Sequence, residues 1–238
     1  MTGWYSYLVS LDLGQSQDFS ALSLIEIPIW RPDPGVWDSP SDMEARHLAV
    51  RAYAQGTPPS PRPLHVRTLR RFPLGTSYPD IVRSVVRLLQ SGAVAGKGVA
   101  LLVDQTGVGA PVLDLFKETG VRPVGVTITG GQRVTRDHDG YHVPKQNLVS
   151  ALQLSLQSGQ LKISPKLEHA ATFLAEARDF RVTVNLATGH ESFAAWREST
   201  HDDLILSIAM AAWFFSYRVD RQRHATAVST AQERFIER

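Results

Sequence analysis

The chain has 238 residues, with 25 Lys and Arg against 23 Asp and Glu, a formal net charge of +2, and 43% hydrophobic against 20% charged residues. That balance excludes a disordered or fibrous chain and a histone-like polycation, while leaving room for a local basic groove. Cysteine is absent, which removes disulfide scaffolds, thiolate metal sites, iron–sulfur clusters and cysteine nucleophiles together, so any metal must sit on oxygen or imidazole.

Tyr5–Asp12 and Phe19–Ile27 are rich in β-branched and apolar residues and flank a polar, turn-like stretch from Leu13 to Asp18, which reads as a hairpin. From Pro28 to Pro63 there are eight prolines, read as an inserted surface loop around a short element near His47–Tyr53. Leu64–Phe72 reads as a strand. Ser77–Gln90 reads as a helix, with Ile81, Val82, Val85, Val86 and Leu89 on one face and Gly92 as its stop. Val99–Asp104 has the length and apolarity of a central strand covered on both faces.

Pro111–Thr119 is the next expected helix and Val121–Thr129 the next strand, followed by a polar loop over Gly130–Tyr141. Gln146–Gln157 has helical spacing, Ser164-Pro165 opens a helix through Ala177, and Arg181–Leu186 reads as a strand. Asp202–Tyr217 is apolar on nearly all sides and so reads as a buried helix, with a basic tail over Arg218–Arg238. The longest nearly apolar stretch, Leu204–Phe215, is too short to span a bilayer, and Met1–Leu11 lacks a signal-peptide pattern. The expectation is a soluble, cytoplasmic α/β protein.

Three acidic positions share one property. Asp12 ends the first strand, Asp104 ends the most buried strand, and Asp202-Asp203 open the most buried helix. A carboxylate is costly in such places unless something pairs with it, and a divalent cation would satisfy all of them at once. A pair of Mg²⁺ or Mn²⁺ ions on convergent carboxylates activates water and stabilises a leaving oxygen. Taken singly, each acid also has a plainer reading: Asp202 and Asp203 as first-turn acids behind Thr200 as N-cap, Asp12 and Asp104 as turn formers.

Ser10-Leu11-Asp12-Leu13-Gly14 with Asp18-Phe19-Ser20-Ala21-Leu22, then Leu102-Val103-Asp104-Gln105-Thr106-Gly107-Val108-Gly109, then His201-Asp202-Asp203-Leu204 leading to Ala209-Met210-Ala211, resemble the nuclease domain of large terminase subunits. These are the DNA-packaging enzymes of tailed bacteriophages. The resemblance runs from about Tyr5 to Tyr217, outside the proline-rich insert. It implies a ribonuclease H-like fold, a mixed sheet with an antiparallel N-terminal hairpin and helices on both faces. It divides the chain into a nuclease domain over 1–217, with the insertion at about 28–63, and a tail over 218–238.

The resemblance also implies an Mg²⁺- or Mn²⁺-dependent endonuclease cutting double-stranded DNA in the host cytoplasm when packaging starts and ends. Asp12, Asp104 and Asp203 would hold two ions, with Asp202 as an adjacent ligand. Asp18 matches an acidic position in the first hairpin, His201 stands where it would orient a carboxylate or a water, and Lys145 matches a basic position facing DNA phosphate. Arg133 and Arg136, beside Gly130-Gly131, are further candidates for phosphate contact, as are Arg67, Arg70 and Arg71; a solvated face is the plainer reading of these arginines.

A packaging enzyme also needs a motor. The only Gly-Lys pair, Gly96-Lys97, is followed by Gly98 and has Ser91 where a phosphate-binding loop needs its first glycine. The ATPase would therefore be a separate domain or subunit, with the portal and small terminase as other partners. A non-catalytic DNA-binding or packaging module of the same fold is the alternative. A more distant one is an actin-like nucleotide-binding domain, whose phosphate-binding turns resemble Asp12-Leu13-Gly14 and Asp104-Gln105-Thr106-Gly107. Gly107-Val108-Gly109-Ala110-Pro111-Val112 lacks the third glycine of a dinucleotide fingerprint, and His190, Glu191 and His201 lack zinc-site spacing.

Overall fold

The computed structural model describes residues 5–14, 18–28, 62–107, 109–138, 140–179, 183–184, 191–192 and 202–218. Most of the expected proline-rich insert and the short element within it, most of the expected strand over 181–186, His201 and the tail beyond Arg218 lie outside the described residues.

Among the described residues, ten strands run in chain order as β1 (Tyr7–Asp12), β2 (Ala21–Glu26), β3 (Leu64–Arg71), β4 (Val99–Asp104), β5 (Val124–Thr129), β6 (Thr135–Arg136), β7 (Gly140–Pro144), β8 (Leu161–Ile163), β9 (Thr183–Val184) and β10 (Glu191–Ser192). The helices are α1 (Tyr78–Gln90), α2 (Gly109–Glu118), α3 (Lys145–Gln157), α4 (Ala170–Asp179) and α5, residues 203–218. Eight strands form one sheet in the order β6-β7-β5-β4-β1-β2-β3-β8, and β9 pairs with β10 separately. The β1–β2 and β2–β3 pairs are antiparallel, whereas β1–β4, β4–β5 and β5–β7 are parallel. This is a mixed α/β sheet with the N-terminal antiparallel hairpin in its middle.

Helices cover both faces because the central strands are apolar on both. On one face Tyr7, Val9 and Leu11 of β1 and Leu101 and Val103 of β4 pack with Ile81, Val82 and Val85 of α1 and Val112, Leu113 and Phe116 of α2. On the other, Leu8 and Leu102 pack with Leu148 and Leu152 of α3, Phe173 of α4 and most of α5. In α5, Leu204, Ile205, Ile208, Met210, Ala211 and Ala212 are at most 1% exposed, and burial of each large aliphatic contributes about 1.5–3 kcal/mol. The all-round apolarity of that helix follows from its place between the sheet and two neighbouring helices.

The helix starts follow their local chemistry. Ser77 caps α1 by accepting from the Asp80 N–H, and Pro79 sits in the first turn where its missing donor is harmless. Two expectations are corrected. The helix opened at Ser164-Pro165 begins instead at Ala170, after turns over 165–169, and the short β8 precedes it, paired in parallel with β3. The polar loop over Gly130–Tyr141 contains β6 and the start of β7, an antiparallel pair on the sheet edge. The smaller shifts are at element starts: α2 begins two residues earlier, at Gly109, and β5 three later, at Val124.

The β5–β7 pairing depends on a close approach. Gly140 has φ 153°, and a Cβ there would stand 2.1 Å from the carbonyl oxygen of Gly125, its register partner. Gly140→Ala is expected to lower stability by about 1–3 kcal/mol, read from denaturant unfolding.

Candidate active site

Period-two alternation decides which way the strand-end acids point. Leu8 of β1 and Ala100 and Leu102 of β4 face α5, so Asp12 and Asp104, in phase with them, face α5 as well. The strands are paired in parallel with Leu11 opposite Val103, and one residue further on Asp12 and Asp104 end them side by side. Beyond Asp12 the chain turns at Gly14, where a Cβ would meet the Asp18 carbonyl oxygen at 2.3 Å and where the carbonyl accepts from the Tyr78 hydroxyl. Beyond Asp104 it turns into α2 at Gly109, where a Cβ would stand 2.6 Å from the Asp104 carbonyl oxygen. Gly109 thus brings the start of α2 against the end of β4, and Gly14 packs against the backbone of Asp18 and Phe19 ahead of β2.

The third element is the start of α5. The Asp202 carbonyl accepts the first helical bond from the Leu206 N–H at 2.8 Å, so Asp202 is the capping residue and Asp203 the first helical one. Asp12, Asp104 and Asp203 are 6, 6 and 4% exposed. The Asp12 carboxyl is held well above the usual carboxylate range, first by burial and then by the charges of Asp104, Asp202 and Asp203, with a hydrogen bond to Asp104. The four acids expected to act together are therefore brought to one place.

Each acid has further partners. The Asp104 Oδ1 accepts from the Thr106 N–H at 2.7 Å, so it does form the expected turn while facing the cluster. Lys145, first residue of α3, places Nζ 4.0 Å from Asp202 Oδ2, with its side chain mostly buried; it stands against the acids. Asp203 takes a two-pronged bond from Arg71, Nε to Oδ2 at 2.7 Å and Nη2 to Oδ1 at 2.9 Å. The same Nη2 also bonds Glu176 Oε1 of α4, and the guanidinium lies over the Phe19 ring at 4.8 Å. Glu176 uses its other oxygen, Oε2, to accept from the Ile205 N–H at 3.4 Å, a donor at the α5 start. Its pKa is raised to about 7, by burial first and then by Asp203, against the opposing pull of Arg71.

Sequence reasoning missed Glu176 and misplaced Arg71 among the arginines that would meet DNA. A bulge redirects Arg71. Leu24 is opposite Thr68 while Ile25 is opposite Val66, so Arg67 is an extra residue in β3, and beyond it the alternation changes phase. Leu64 and Val66 face α5, and so do Leu69 and, in phase with it, Arg71. Of its neighbours, Arg67 pairs with Glu26 at 2.6 Å and Arg70 donates to Ser84 at 2.6 Å. Arg133 and Arg136 are exposed at the far edge of the sheet, with the Arg136 guanidinium 5.1 Å above the Tyr141 ring. Asp18 is exposed in the turn between β1 and β2, and His201 lies outside the described residues.

As they stand, no three acidic or histidine side chains among the described residues are set to ligate one ion, consistent with both oxygens of Asp203 being taken by Arg71. The donor chemistry nevertheless fits a hard divalent cation: carboxylates only, no sulfur, and a buried Asp12 beside the charges of Asp104, Asp202 and Asp203.

No protein-family model matches the chain, and no curated protein matches it. Among solved structures it is similar to the large terminase nuclease from thermophilic phage G20c, with a TM-score of 0.51 and 18% identity over 85% of this chain and 78% of that one. The human cytomegalovirus terminase nuclease domain aligns at 12% identity over 90% of this chain and 85% of that one, with a TM-score of 0.39. The first likeness shows the fold, a ribonuclease H-like one; the second adds no argument of its own.

Proposed function

We propose that the chain is a metal-dependent endonuclease that cuts double-stranded DNA during viral genome packaging. The observation that carries this reading is the meeting of Asp12, Asp104, Asp202 and Asp203 on one face of a sheet, in a fold shared with the phage terminase nuclease. Uncompensated, four acids around a buried strand end cost stability, and functional sites are where folds tolerate such a cost.

Asp12, Asp104 and Asp203, with Asp202 beside them, would hold the ions. Two bound Mg²⁺ or Mn²⁺ ions supply Lewis acidity at the attacking water and at the leaving 3′ oxygen. The chain's own part is geometry. The ends of β1 and β4 fix two carboxylates at neighbouring register positions, and the buried α5 fixes the third against them. Arg133 and Arg136, exposed on the β6 edge, would take backbone phosphates, a contact that positions a duplex without reading its bases. The nuclease would work in the host cytoplasm with an ATPase motor, the portal and the small terminase.

Supercoiled plasmid incubated with the protein tests this reading. Nicked and linear products are expected with Mn²⁺ or Mg²⁺ and none with chelator. DNA binding that weakens with salt but never leads to cleavage, in either metal, would instead assign a non-catalytic packaging module.

A further inference from the structure

The contact that separates this site from a bare carboxylate cluster is the two-pronged hold of Arg71 on Asp203, beside the longer approach of Lys145 to Asp202. The Arg71 side chain is 15% exposed and the side chains of its partners Glu176 and Asp203 are 8 and 6% exposed, so this is a largely buried three-member network. Its geometry is unequal. Toward Asp203 the guanidinium uses Nε and Nη2 on both carboxylate oxygens; toward Glu176 it uses Nη2 alone. Phe19 supports the guanidinium from its flat side. A cation that needs an Asp203 oxygen therefore meets a guanidinium already there, and that guanidinium has a second carboxylate in reach.

Glu176 is itself fixed from behind. Its Oε2 accepts the Ile205 N–H at the start of α5, the helix that carries Asp203, a second contact besides the guanidinium. Arg71 comes from a strand whose direction is set by the bulge at Arg67, and bulges of this kind re-aim side chains beside functional sites. What the position supplies is one positive charge for two acids.

Resting on the metal-dependent reading above, we propose that Arg71 is an exchangeable counter-cation: a divalent ion taken by Asp203 displaces the Arg71 Nε bond, and the guanidinium remains on Glu176. In the ion-free protein Arg71 lets the acids be buried together. In the loaded protein Glu176 retains Arg71, so no second charge is left without a partner. Arg71 is then a positioning residue, since it acts through Asp203.

The test uses the whole chain, with arginine side-chain Nε–H resonances followed by NMR during a titration with Mg²⁺ alone, beside calorimetry of the same titration. The Arg71 resonance is identified by its loss in Arg71→Lys, or, if that variant does not fold, by its displacement in Glu176→Gln. The expected result is that this resonance leaves its carboxylate-bonded position with the midpoint of the calorimetric binding curve. Calorimetric saturation with the Arg71 resonance unmoved would overturn the exchange and leave the nuclease reading standing. Absence of any Mg²⁺ binding would overturn both.

Discussion

Asp12→Asn is expected to abolish cleavage and, in chelator at pH 8, to raise the melting temperature. The two effects have one cause. The Asp12 carboxyl is raised by burial and by three neighbouring carboxylates, so the folded state holds its proton more tightly than the unfolded chain does. Stability falls with pH wherever the native state binds more protons. The cost is absent below the ordinary carboxylate range, grows as pH rises through it, and is complete once the folded-state group has ionised. Asparagine cannot ionise and escapes the cost.

Relief of a functional strain of this kind is worth about 0.5–2 kcal/mol, or roughly 2–4 °C in melting temperature per kcal/mol for a chain of this size. Loss of an ion ligand removes several kcal/mol of transition-state stabilisation, about 10³-fold in rate at tenfold per 1.36 kcal/mol. Differential scanning fluorimetry from pH 5 to 8 and plasmid cleavage measure the two effects. A purely structural Asp12 would give the opposite pair, lower stability with cleavage retained.

Arg71→Ala, by contrast, is expected to destabilise the fold. Removing one partner of a buried ion pair leaves uncompensated charge and costs about 3–5 kcal/mol, and here two acids lose their cation in a site that already holds Asp12 and Asp104. At neutral pH the melting temperature should fall by about 10 °C. The loss should depend on pH with a definite sign. Glu176, already raised to about 7, loses the one group that lowers it through charge, so in the variant it rises further and takes up a proton more readily. Protonation below the folded-state value removes the repulsion with Asp203. The gap between wild type and Arg71→Ala should therefore narrow from pH 8 to pH 5, as measured by urea unfolding at both values. A constant gap would mean that Arg71 stabilises by packing on Phe19 and not by charge.

What was legible in the sequence was the part set by short-range periodicity. Asp12 and Asp104 each close a short apolar run of strand length, and the all-round apolarity of α5 marked its first residues as acids at the mouth of a buried helix. The partners of these acids were hidden for physical reasons. Arg71 lies beyond a bulge that changes the face it occupies, and Leu64–Phe72 contains nothing that announces an extra residue. Glu176 belongs to α4, whose role is fixed by where the helix lands, at the start of α5, a long-range matter. The strands β6 and β8 are two and three residues long, below the length at which alternation can be read, and β7 starts at a glycine needed for close approach to β5. The plain reading of Asp104 as a turn former also holds, since the same carboxylate that bonds the Thr106 N–H acts on Asp12.

The most direct measurement is cleavage of supercoiled plasmid by wild type and Asp104→Asn side by side in Mn²⁺, with circular dichroism confirming that both are folded. The account predicts nicking and linearisation by wild type, suppressed by chelator and lost in the variant. Equal cleavage by the folded variant would contradict it, because the buried acid at the end of β4 would then have no part in the chemistry.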